Sequence, residues 1–304
     1  MAGESVLAGP PAHPQESEDK KKMKKQIHFL GPRGTFTEIA VNKFLESCCE
    51  DFVSAELVPC STITEVINNV DSGKGLIGVV PVENSIEGIV RETLDSLLTT
   101  SSKVMICRET IVKISHCLIT KAKSYSEIKA IISHTQAFGQ CKGFINKNLS
   151  KDVEQTLSKS TSEAVKVISG LDSSYAAIGT KIAAEHYGLP VLEESINDQK
   201  ENYTKFILLC DEEPEMTGND VTSIVVSIKN RPGALVDLLK PFSENTIDLL
   251  RIESRPSKKS LGEYLFFIDF KGHMSDKKVE MTMGQVFPIL DSYKRLGSYP
   301  RYNY

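Results

Sequence analysis

No stretch of the 304-residue sequence approaches the roughly 18 consecutive apolar residues of a membrane-crossing helix. Nor is there a basic stripe with interleaved aromatics, and the net charge is −4, so neither a membrane nor nucleic acid is an expected partner. The seven cysteines include no CxxC pair. Their odd number and apolar neighbours point to reduced, buried thiols in a cytosol-like compartment, and a cytoplasmic location is expected. His28, His116, His134, His186 and His273 are scattered without an HxxxH pair, and His13 lies near the start, so no metal or other cofactor is expected. The nucleophile elbow GxSxG is missing too, which argues against a serine hydrolase. Residues 1–25 are rich in Pro, Glu and Lys and lack the apolar core of a secretory signal; they are expected to form a disordered tail.

What the chain does have is the composition of a soluble globular protein, with 40% apolar and 25% charged residues, and a length that fits roughly two domains. From residue 26 short apolar strands alternate with helix-period segments. "QIHFLG", "GLIGVVPV", "ETIVKISHCLI", "AIISH", "YAAIG" and "NYTKFILL" read as strands. "GTFTEIAVNKFLES", "STITEVINNVDSG", "GIVRETLDSLL", "QAFGQCKGFI", "TSEAVKVISG" and "TKIAAEHYG" read as helices. Such alternation predicts an α/β body with largely parallel sheets covered on both faces. The acidic stretch "CDEEPEMTGND" reads as a linker, placed at 212–220. Beyond it, "TSIVVSIK", "NRPGALVDLLKPFSEN", "DLLRIESRP", "GEYLFFIDFKG" and a mainly helical "KKVEMTMGQVFPILDSYKRLG" give β–α–β–β–α, a small α+β sandwich over 221–304.

Four strings follow strands, where open α/β sheets place their ligand crevices. "GPRGTFTEIA" puts Gly31 and Gly34 in a turn before a helix start, which attracts anions; a tight turn is its plainer reading. "VPVENSIEGIV" groups Glu83, Asn84, Ser85 and Glu87 at a strand–helix boundary, where Asn84 or Ser85 can equally cap a helix. "IISHTQAFGQC" ends a strand with Ser133 and His134, neighbours that point to opposite faces. It also places Gln136 and Gln140 on one helix face. "NYTKF" offers an amide, a phenol, a hydroxyl and an ammonium at the entrance of a buried strand.

Taken with "STSEAV", these strings closely resemble the prephenate dehydratase family, which includes arogenate dehydratases, over residues 27–210. The sequence after the linker resembles the ACT regulatory domain that follows the catalytic domain in that family. There "RPGAL" (231–235) and "ESRP" (253–256) match the strings tied to phenylalanine sensing. The resemblance implies two lobes like a periplasmic solute-binding protein (about 26–107 plus 191–211, and 108–190) with the active site between them. It implies decarboxylative dehydration of prephenate to phenylpyruvate. Thr204 stands as proton donor or relay to the leaving hydroxyl, its proton coming from a carboxyl such as Glu83 or from water. Asn84, Ser133 and Gln140 join the catalytic set, and Lys205, Phe206, Ser85, Gln136, Glu163 and Thr35 the substrate-binding set. Glu163 reads equally as a helix N-terminal acid. The family's Thr-Arg-Phe is here Thr204–Lys205–Phe206, and a lysine offers a point charge where arginine clamps a carboxylate with two N–H bonds.

For the regulatory part, the resemblance implies phenylalanine as effector, held by Gly233, Ala234, Leu235, Glu253, Ser254 and Arg255 between paired ACT domains of a homodimer or homotetramer. Two rivals remain at this level: an arogenate dehydratase, and a non-catalytic amino-acid sensor.

Overall fold

The computed structural model describes residues 25–47, 55–73, 77–101, 103–257 and 263–302. The expected tail, except Lys25, and Cys48 and Cys49 lie outside the described residues. The first lobe runs β1 (Gln26–Leu30), α1 (Phe36–Ser47), β2 (Glu56–Cys60), α2 (Ile63–Asp71), β3 (Ile77–Asn84), β4 (Gly88–Ile89), α3 (Arg91–Thr99) and β5 (Met105–Lys113). Helix α2 shows why these segments fold as they do. Ile63, Val66, Ile67 and Val70 fall on one buried stripe, and the Thr62 hydroxyl accepts the Glu65 amide as N-cap.

The chain then crosses to a second lobe built from β6 (Cys117–Thr120), β7 (Ala130–Ser133), α4 (Thr135–Gln140), α5 (Lys142–Asn148), β8 (Glu154–Leu157), α6 (Thr161–Ser169), β9 (Tyr175–Gly179), α7 (Lys181–His186) and β10 (Val191–Glu193). It returns as β11 (Tyr203–Cys210), which inserts between β3 and β5 to give the order β2-β1-β3-β11-β5, with β4 on β3; the second sheet is β10-β6-β9-β7-β8. The crossings therefore lie at 114–116 and 194–202, not at 107 and 190. "ETIVKISHCLI" is not one strand but β5 and β6 in different sheets, since alternation along a strand carries no sign of a change of sheet. Both sheets are mixed rather than largely parallel, because β11 runs antiparallel to both its neighbours and β6 to both of its own. That arrangement places Cys107 and Cys210, separated by 103 residues in sequence, at adjacent strand ends, where they form a disulfide instead of the expected free thiols. Cys60, Cys117 and Cys141 are buried thiols.

The regulatory domain is β12 (Asp220–Ile228), α8 (Ala234–Glu244), β13 (Leu249–Pro256), β14 (Tyr264–Lys271), α9 (Lys277–Val286) and β15 (Leu290–Pro300), ordered β13-β14-β12-β15 in the sheet. The last strand was expected as helix; α9 ends at Val286, and "LDSYKRLGSYP" pairs along β12. One face of the sheet packs under α8 and α9 through Ile224, Val226, Phe242 and Phe270. The other joins the first lobe: Val221, Val225, Phe267, Leu296 and Tyr299 share one core with Val80, Val82, Ile207 and Leu209. Lys294 completes the docking by donating from Nζ to the carbonyls of Leu97 (2.7 Å) and Thr100 (2.6 Å) at the end of α3.

Candidate active site

Between the lobes lies a cleft of about 450 Å³, lined by Leu30, Thr35 and Phe36 at the start of α1, Pro81 and Asn84 of β3, and Thr204 and Phe206 of β11. The second lobe contributes Gln136 and Gln140 of α4 and Lys159–Thr161 at the start of α6. It adjoins a hollow of about 760 Å³ that shares Glu87, His134, Gln136 and Gln140 and adds Asn202. Asn84 and Thr204 face each other across the β3–β11 pair. Asn84 Oδ1 accepts the amides of Ile86 and Glu87, both at 2.9 Å, which fixes its Nδ2 toward β11. Nδ2 lies 2.9 Å from Thr204 Oγ1 and 2.8 Å from Asn202 Oδ1, so it donates to both. An amide nitrogen is no acceptor, and the Thr204 hydroxyl hydrogen is therefore left to point elsewhere. Asn202 Nδ2 in turn donates to Gln140 Oε1 at 3.0 Å, and His116 Nε2 sits 3.2 Å from the same oxygen. With Oε1 so engaged, the Gln140 NH₂ is the end free to meet a ligand. Burial holds the His116 imidazole neutral by pushing its pKa down to about 4.

Of the residues singled out in the sequence, Thr204, Asn84, Gln140, Gln136, Phe206 and Thr35 come together in this cleft. Five others do not line it. Glu83 pairs across strands with Lys205 and with Ile89, on the side opposite Asn84. Lys205 forms an ion pair with Glu109 (3.3 Å). Ser85 Oγ accepts the Tyr203 amide, locking the turn to β11. Ser133 is fully buried and donates to the Ile178 carbonyl, tying β7 to β9. Glu163 accepts the Lys159 amide while Ser160 accepts that of Glu163, a capping box at α6. Three contributors carry no role in the sequence analysis: Asn202 within "NYTKF", His116 among the scattered histidines, and Lys159. Lys159 stands just outside "STSEAV" and supplies the cleft's cation, while Glu87 rather than Glu83 is its carboxylate.

The loop 31–35 also reaches the second lobe. Ser162 Oγ donates to the Arg33 carbonyl, Thr180 Oγ1 to that of Gly34, and His186 Nε2 lies 3.2 Å from Glu38 Oε2. In the regulatory domain, Gly233 takes a positive φ (+82°) ahead of α8, and Ala234 and Leu235 border a small hollow of about 120 Å³ with Arg231, Tyr264 and Phe266. Glu253, Ser254 and Arg255 lie on β13, an edge strand, and Arg255 reaches Asp95 of α3 (2.7 Å).

The chain is similar to known proteins over nearly its whole length. Residues 27–214 match the prephenate dehydratase family and 222–287 the ACT domain. The prephenate dehydratase of Methanocaldococcus jannaschii is 40% identical, over 91% of this chain and 99% of its own. The bifunctional chorismate mutase/prephenate dehydratase of Aquifex aeolicus is 36% identical, over 93% of this chain and 75% of its own. Among solved structures, the prephenate dehydratase of Arthrobacter aurescens in complex with L-Phe superposes with a TM-score of 0.81 at 35% identity, over 91% of this chain and 90% of that one. On these grounds the chain belongs to the prephenate dehydratase family.

Proposed function

We infer that the protein is a prephenate dehydratase regulated by phenylalanine, converting prephenate to phenylpyruvate, carbon dioxide and water. Aromatisation drives the reaction, so the protein has two tasks: protonating a poor leaving group and holding the substrate still. Thr204 suits the first, because its oxygen receives the Asn84 amide and its proton remains to be given. Its proton is replaced from Glu87 or from water. The ring carboxylate must leave as a neutral molecule, and a cation against it would oppose that step. Thr204 accordingly works among uncharged donors, Asn84 and Gln140, preorganised by the amide chain. Lys159 stands on the opposite wall, on the second lobe, with the helix start of α6, where it suits the substrate's other carboxylate.

The regulatory reading rests on the hollow beside Gly233–Leu235 and on the edge strand β13. A second copy pairing along that strand brings Glu253, Ser254 and Arg255 to phenylalanine, so a homodimer is the minimal assembly. The observation that carries the catalytic reading is the Asn84–Thr204 contact inside the cleft. Purified protein should form phenylpyruvate from prephenate, and Thr204→Ala should lower kcat by about 10²-fold or more while KM changes little. Arogenate run alongside measures preference. Turnover of neither substrate sinks the reading.

A further inference from the structure

A set of partly buried charges lies behind the two strands that carry the site. Lys205 follows Thr204 on β11, Glu83 precedes Asn84 on β3, and the two are cross-strand partners. Neither lines the cleft. Lys205 Nζ is 3.3 Å from Glu109 Oε2, and the other Glu109 oxygen accepts the Tyr302 amide at 3.0 Å, just past β15. On the regulatory sheet beside them, the buried Tyr299 hydroxyl lies 2.9 Å from Ser223 Oγ, which donates to Asp269 Oδ1 at 2.7 Å. Asp269 takes Arg251 through Nε (2.8 Å) and Nη2 (3.2 Å). Burial opposes the Arg251 charge; Asp269 favours it, and so, more weakly, do Tyr299 and Glu83.

We propose that Lys205 and Glu83 are positioning residues. From behind β11 and β3 they set the Asn84–Thr204 pair, and through Glu109, which holds the Tyr302 amide, Lys205 ties that pair to the end of the regulatory sheet. Its kinetic side rests on the dehydratase reading; its geometric side does not. Buried ion pairs add little stability over apolar packing, but breaking one leaves a charge uncompensated, so the set holds one arrangement. An effector that shifts the regulatory sheet therefore moves the Tyr302 amide that Glu109 holds, and with it the partner of Lys205, one residue from Thr204. The lysine that replaces the family arginine serves here as a brace, not as a clamp on substrate.

The test uses the full chain with Lys205→Met, Lys205→Arg and Glu83→Gln. Amide exchange at Ile86 and Glu87, the two groups held by Asn84 Oδ1, reports the site's geometry without any turnover. Lys205→Met and Glu83→Gln should speed that exchange about tenfold. They should lower kcat about tenfold with KM within about twofold, and halve the effect of phenylalanine on rate, while its affinity by calorimetry stays within about twofold. Lys205→Arg should restore wild-type exchange and kcat. Wild-type exchange in both Lys205→Met and Glu83→Gln overturns the proposal. So does a Lys205→Arg protein as impaired as Lys205→Met, or loss of phenylalanine binding itself. Should Lys205→Met fail to fold, Glu83→Gln, which removes charge but keeps shape, decides alone. A wild type that turns over nothing defeats the dehydratase reading and leaves the exchange result to judge the brace.

Discussion

At the scale of single residues, His116 links the site to pH. Burial lowers its pKa to about 4 although the Gln140 hydrogen bond works the other way. In the unfolded chain the imidazole titrates at about 6.5, so as pH falls below that value the unfolded state binds the extra proton first. The contribution of a neutral His116 is thus present above pH 6.5 and is lost as pH falls toward 4, amounting to about 3 kcal/mol if burial acts in full. Urea denaturation at pH 7 and pH 4.5 should show wild-type stability dropping more than that of His116→Gln, by about 2 kcal/mol. His116 should also stay uncharged through the working range, and its ring resonances should not move between pH 8 and 5.5. A charged His116 at pH 6 would carry a proton on its buried Nδ1, which has no hydrogen-bond partner among the described residues. The residue types at the site were legible in the sequence as strings of polar side chains at strand ends. The orientation of the Gln140 amide was not, because it depends on Asn202, 62 residues away in sequence.

At the scale of elements, one register slip explains which carboxylate meets the cleft. Along β3 and β11, Lys205 pairs with Glu83 but Phe206 with Pro81, so Val82 is skipped. Such an extra residue re-aims side chains next to a site. Pro81 and Asn84 then line the cleft while Val80 and Val82 both enter the core shared with the regulatory sheet. Strict alternation read from "VPVENSIEG" cannot reveal this. Strand β12 was legible for the opposite cause: buried on both faces, it reads as an apolar run without alternation. Strand β15 was hidden by the turn "FPI", which follows α9 without a break in apolar spacing. Within β15, Gly297 takes φ +145°, and a Cβ there would fall 2.3 Å from the Ile106 carbonyl oxygen of β5. Gly297→Ala should therefore force the regulatory sheet off β5, costing about 1–3 kcal/mol. A lowered thermal midpoint with secondary structure retained by circular dichroism would report it; an unchanged midpoint would mean that β15 and β5 do not touch there.

At the scale of the molecule, the regulatory sheet and the first lobe are one packed body, sharing a core from Ile63 to Tyr299, whereas the second lobe has its own cores. Two chain crossings and the seam around the 31–35 loop hold it to the first. Gly34 lies at the tightest point of that seam. Its φ is +83°, and an added Cβ would stand 2.7 Å from Ser162 Oγ and 2.8 Å from the Ala183 methyl. Neither the backbone nor the second lobe has room for a side chain there. Gly34→Ala should wedge the lobes apart while leaving the body that contains Thr204 and the regulatory sheet intact. Because Asn84 and Thr204 belong to the first lobe and Gln140 and Lys159 to the second, a wider gap separates the proposed proton donor from the groups proposed to hold substrate. Misplacement by about 1 Å can cost about 10²-fold in rate, so kcat/KM should fall by at least tenfold. Most of that fall should appear in KM if the cleft still closes on substrate. Phenylalanine affinity should be unchanged, since the site proposed for it lies wholly on the other body. A Gly34→Ala protein with wild-type kcat/KM would mean that turnover does not require the lobes to meet as they do in this structure.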